Sequence, residues 1–114
     1  MADLSPENKL LVNHLQDKLL EILNEAKKVE FLLLQRFGEN SETLISLEQL
    51  TEISEQAREG FFQINNLQIH IAEAQPVISA SLLQFIHQVI DKIEKRIPAL
   101  QQSIKEIKLD WSLS

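Results

Sequence analysis

The residues best suited to chemistry are the three histidines, His14, His70 and His87. Near neutral pH an imidazole can move a proton, accept a phosphoryl group or hold a metal. Each has an acid about one helical turn further on (Asp17, Glu73 and Asp91), the kind of neighbour that orients a general base or completes a metal site. The spacing argues against both uses. Di-iron bundles project Glu-x-x-His pairs inward, and neither that pair nor His-Glu-x-x-His occurs in the sequence. On a heptad frame the histidines fall at c, g and b and their acids at f, c and f, away from the core seam. The chain has no cysteine, which excludes thiol catalysis, thiolate metal sites and disulfides. It has no Gly-rich phosphate loop, no nucleophile elbow and no core carboxylate pair. Asn65 and Asn66, at b and c, read as surface amides. The expectation is no catalytic residue, no cofactor, no metal and no enzyme activity.

One chemistry needs only an exposed histidine. Histidine phosphotransfer domains are small helical bundles with an exposed helical His and a nearby Lys. His14, with Lys18 one turn on, is similar to that arrangement. His87 fits it less well, because Asp91 stands one turn on and Lys92 five positions away. The small residues expected after the histidine are missing from both HLQDKLLE and HQVIDKIE. A phosphotransfer-like module therefore ranks third among the functional readings.

The elements that carry these side chains are legible from apolar spacing. Five Gly and Pro residues in 114 leave few turns, so long helices with short connections are expected. The first helix, about 6–37, starts at Ser5 and Pro6, a good cap and a good first helical residue. Its seam runs Val12, Leu15, Leu19, Ile22, Ala26, Val29, Leu33, in alternating steps of three and four. Gly38 offers a left-handed stop, and GENSET is the first loop. The second helix, about 44–74, has the seam Leu50, Ile53, Ala57, Gly60, Ile64, Leu67, Ile71, Ala74, with a possible capping box at SLEQ, Ser46 to Gln49. Pro76 marks the second turn. The third helix, about 78–111, has another possible capping box at SLLQ, Ser81 to Gln84. Its seam is Leu82, Ile86, Val89, Ile93, Ile97, Leu100, Ile104, Ile107, Trp111. The step from Ile93 to Ile97 is a frame slip beside Pro98, where a kink is expected, or a break that would give a four-helix variant. The predicted fold is all-α: an elongated antiparallel up-down-up bundle in one domain spanning 1–114, with 1–4 and 112–114 frayed.

Two outer features stand out. Glu48, Glu52, Glu55 and Glu59 fall on c and f of the second helix and form an acidic stripe, read as a solvated face or a docking surface for a basic partner. Nearby, apolar residues occupy positions that a three-helix bundle leaves wet: Phe62 and Ile69 at f and Phe61 at e. On the first helix the same holds for Leu20 and Leu34 at b, Phe31 at f, and Leu23 and Phe37 at e. Clustered apolar residues mark an interface, so Leu20, Phe31, Leu34, Phe61, Phe62 and Ile69 are the candidate interface. In the core, folding back about the loops puts the small residues Ala26, Ala57 and Gly60 at one level. That layer is either a close helix approach, a gap filled by Phe61, or a small apolar pocket.

Net charge bounds the partners. The total of −6 divides as −1 over residues 1–37, −6 over 38–75 and +1 over 76–114. A basic face for nucleic acid is missing. The C-terminal bases Lys92, Lys95, Arg96, Lys105 and Lys108 alternate with Asp91, Glu94, Glu106 and Asp110, which suits pairing within the helix or with the acidic second helix. The N-terminal MADLSPENK has no apolar signal core, and the longest apolar run is Phe31 to Leu34, far below the ~20 residues of a membrane span. The expectation is a cytoplasmic, non-enzymatic interaction, adaptor or assembly protein, pairing with itself as a homodimer or with another protein. The runner-up is a regulatory module that binds a partner helix or apolar ligand near Gly60.

Overall fold

A computed structural model describes residues 6–74 and 77–113. Its three helices are α1 (Pro6–Phe37), α2 (Leu44–Glu73) and α3 (Ala80–Asp110). They pack as an all-α up-down-up bundle of 55 × 20 × 17 Å, the shape expected when helices of about 30 residues lie side by side. Every seam residue assigned to α1 is buried, as is every one in α2 from Leu50 to Ile71. The cap expected at Ser5, the turn expected at Pro76, the expected frayed segment 1–4 and Ser114 lie outside the described residues.

The first loop is built by three residues, Gly38, Asn40 and Thr43. Gly38 has φ +76°, the left-handed conformation that ends a helix, and its N–H donates to the Leu34 carbonyl at 2.9 Å. Asn40 Nδ2 donates to the Phe37 carbonyl, and its Oδ1 accepts from the backbone N–H groups of Glu42 and Thr43. Thr43, fully buried, donates from Oγ1 to the Gly38 carbonyl at 2.8 Å and accepts from the Asn40 N–H at 3.0 Å. This loop places the start of α2 at Leu44, before Ser46, so SLEQ lies inside the helix and is not its cap. Nor does SLLQ cap α3: the cap is Ser79, whose side chain accepts from the Leu82 N–H at 3.1 Å.

The third helix corrects three expectations. Ile90 is 5% exposed, while Val89 is only partly buried. With Ile90 on the seam, the order Ile86, Ile90, Ile93, Ile97, Leu100, Ile104, Ile107 steps four and three without interruption, so no frame slip falls beside Pro98; the two successive steps of four are Leu82 to Ile86 to Ile90. Second, α3 is one helix through Pro98, so the four-helix variant does not arise. Pro98 is exposed, which turns its ring to solvent and leaves water free to reach the carbonyl that lost its donor. Third, Ser112 and Leu113 are not frayed. Ser112 sits at φ 54° and Leu113 donates its N–H to the Lys108 carbonyl at 2.7 Å, the six-to-one bond of a Schellman stop. Leu113 is then 3% exposed against the core.

Contacts across the bundle fix its levels. Leu19 lies over Gly60, and Gln16 Nε2 donates to Asn65 Oδ1 and Gln68 Oε1, both at 3.2 Å. The pairing of α1 with α2 is thus about one turn off the level estimated from the loop. The terminal methyl carbons of Leu19 stand 3.2 and 3.3 Å from where a Gly60 Cβ would be. A side chain fills the thin layer, and a ligand there would have to displace it. The two helices also approach each other more closely than either approaches α3.

Candidate functional site

The three histidines are all exposed and lie on three different helices. Among the described residues, no group of three or more His, Cys, Asp or Glu side chains is arranged to hold a metal ion. No described helix is long and apolar enough to cross a membrane. The basic residues of α3 pair in part as expected: Lys95 Nζ lies 3.0 Å from Asp91 of its own helix. Lys108, however, reaches Glu25 on α1 at 3.0 Å rather than the acidic α2. This pair bridges an open groove of about 540 Å³ between α1 and α3, floored by Ile22, Ile104, Leu109 and Leu113.

The apolar residues at nominally wet positions remain in water within one chain. Leu20, Phe31, Leu34, Phe62 and Ile69 are 47, 63, 38, 50 and 55% exposed. Phe61 differs from them: it is half-buried against the core, and Phe62 meets it edge-on at 6.2 Å. Its e position lies beside the α1–α2 seam, so it belongs to the bundle's own packing.

These exposed residues share one face because α1 and α2 are so close. The Gln16 amide, bonded to Asn65 and Gln68, shows which side of α1 meets α2. Leu20 follows Gln16 by one turn, and Leu34 follows Leu20 by about four turns, on the same side. On α2, Phe62 precedes Asn65 by three residues and Ile69 follows it by four. Two rows therefore border the same seam from outside, Leu20–Lys27–Leu34 on α1 and Glu48–Glu55–Phe62–Ile69 on α2. Phe31 flanks the first row. Arg58 lies over the Phe62 ring at 5.6 Å and covers one side of it.

The acidic stripe is divided by the same geometry. All four glutamates are exposed. Glu48 and Glu55 continue the row of Phe62, whereas Glu52 lines a polar groove between α2 and α3 with Gln49, Arg96 and Asp110. Glu59 lies between the two.

Leu10, Leu44, Ile45, Leu83, Phe85 and Leu109 are exposed and were not singled out from sequence. Leu44 (45% exposed) precedes Phe62 by about five turns, so it extends the α2 row beyond Glu48. It falls at b rather than f, at an uncertain helix start, and so gave no signal in the heptad frame. Phe37 is 43% exposed, and its ring stacks 5.0 Å from Trp111. Trp111 in turn donates from Nε1 to Ser46 Oγ at 2.9 Å, which ties the ends of all three helices together.

Comparison of the chain with protein-family models, with curated proteins and with solved structures finds no match.

Proposed function

We propose that this chain is a non-enzymatic interaction or assembly protein that docks through the outer face of its α1–α2 pair. One observation carries the reading: five large apolar residues, Leu20, Phe31, Leu34, Phe62 and Ile69, are each at least 38% exposed on one face. Scattered exposed apolar residues need no explanation, but a contiguous group of this size is characteristic of an interface. The flanking Glu48, Glu55 and Arg58 supply the polar rim that interfaces carry. The proposed compartment is the cytoplasm, in keeping with a cysteine-free chain of net charge −6.

The test is recovery of the protein from its source cells after brief crosslinking, as wild type and as the double variant Phe62→Ser, Ile69→Ser. Both substitutions are at exposed helical positions, so the fold is retained and circular dichroism checks it. Wild type should carry one stoichiometric partner, a further copy or another protein, and the variant should lose it. If the two behave alike, the docking face has been misplaced.

A further inference from the structure

We infer that the occupant of the α1–α2 face is a second copy of this chain, related by a twofold axis, with α1 of each copy lying on α2 of the other. The inference rests on the docking reading above and adds the identity of the partner and the register of the pairing.

Area is the first support. Leu20, Phe31, Leu34, Leu44, Phe62 and Ile69 are between 38 and 63% exposed. At about 150–250 Å² for a large aromatic side chain and somewhat less for Leu and Ile, they leave about 500 Å² of apolar surface in water. A standard interface buries about 800 Å² per partner, of which about 55–65% is apolar. The patch thus supplies the apolar part of such an interface, with the rim drawn from the charged residues between.

Charge is the second support, and it selects the partner. The row on α1 interrupts its apolar residues with a base, Lys27, whose side chain is 56% exposed and 3.7 Å from Glu30. The row on α2 interrupts its own with acids, Glu48 and Glu55, with Glu59 alongside. Counting Arg58 beside Phe62 and Glu30 beside Lys27, the α2 half is net acidic and the α1 half presents Lys27 without net negative charge, and the two halves are alike in apolar content. A twofold contact places one half of a face on the other half of its partner. An axis running along the bundle does this and sets equal levels against each other. Leu19 is level with Gly60, and moving eight residues from there along the two antiparallel helices brings Lys27 level with residue 52, between Glu48 and Glu55 of the α2 row. Lys27 of each copy thus meets the acidic row of the other, twice per dimer, while α2 laid on α2 would oppose acid to acid.

Light scattering and sedimentation at low ionic strength test this with wild type, Lys27→Glu, and the double variant Glu48→Lys, Glu55→Lys. Wild type should run at twice the 13.1 kDa of the chain at high micromolar concentration. Each variant alone opposes like charges at both symmetry-related contacts, so its dimer should weaken by about tenfold or more in Kd. An equimolar mixture should recover the dimer. The acid introduced on α1 of one variant then meets the two bases introduced on α2 of the other, while the second contact stays as in wild type. A monomeric wild type overturns the inference. So does a wild-type dimer whose charge variants associate as tightly as wild type, or fail to recover on mixing. If wild type is a monomer yet the crosslinked partner is lost in Phe62→Ser, Ile69→Ser, the docking reading stands and the second-copy inference falls.

Discussion

Replacing Gly60 by alanine probes how the middle of the bundle is filled. An ideal Cβ there would stand 3.2 Å from Leu19 Cδ1, 3.3 Å from Cδ2 and 3.9 Å from Cγ. The first two distances are shorter than ordinary van der Waals contact. Leu19 is 1% exposed, so its side chain yields only by pressing on close-packed neighbours. Helix propensity favours Ala over Gly by about 1 kcal/mol. Forcing a methyl group into a filled core costs about 1–3 kcal/mol. The strain wins, and Gly60→Ala should destabilise by about 1 kcal/mol. Leu19→Ala removes all three contacting atoms and by itself should cost about 3 kcal/mol. In that background the new Cβ meets no clash, so the same Gly60→Ala change should stabilise by about 1 kcal/mol. The cycle predicts a coupling of about 2 kcal/mol, against about 0.5 kcal/mol or less for independent sites. Urea unfolding followed by far-UV circular dichroism measures it, on wild type, both single variants and the double variant at one fixed concentration. An additive cycle, or a wild-type background stabilised by the full propensity, refutes the filled layer.

Three further changes test the local structure by the same unfolding assay. Ser112→Gly should stabilise by about 0.5–1 kcal/mol, because the residue sits at φ 54° in a Schellman stop where glycine carries no Cβ penalty. Thr43→Val keeps the shape of a fully buried side chain but removes its bonds to Gly38 and Asn40, and should cost about 1–3 kcal/mol. Pro98→Ala should stabilise by about 1–3 kcal/mol by restoring a donor inside a continuous helix; a neutral or destabilising result would mean that the proline is part of the packing of α3.

The core was legible because burial and helical period give the same answer. In α1 and α2 each apolar step of three or four lands on one stripe, and the structure buries those residues. In α3 the choice between Val89 and Ile90 was ambiguous, since both are apolar and adjacent. With Val89 on the seam, the slip falls beside Pro98. The caps were less legible for a different reason. Two Ser-x-x-Gln matches competed with Thr43 and Ser79, and the loop bonds of Asn40 and the cap bond of Ser79 decided the outcome. Periodicity also identified Phe62, Ile69, Leu20, Phe31 and Leu34 as outward-facing. It placed Phe61 with them because an e position borders both the seam and the outside, and only the close approach of α1 to α2 turns it inward.

That close approach also links the core to the outer face. Ala26, Ala57 and Gly60 are buried on the seams, with Ser54 turned back to the Leu50 carbonyl at 2.9 Å. Small residues let two helices come together, and here they bring the outer rows of α1 and α2 side by side. Had larger residues held the helices apart, Leu20 and Phe62 would border separate grooves. As it is, they border one seam, with Lys27 on the α1 edge and Glu48, Glu55 and Arg58 on the α2 edge. The charges then limit what this face can accept. Two acidic α2 rows repel each other, which on the proposed dimer favours the crossed register that sets Lys27 against the acids. On the proposed pairing only Glu48 and Glu55 of the acidic stripe belong to the docking face, where they would exclude the wrong pairing while Phe62 and Ile69 supply the contact.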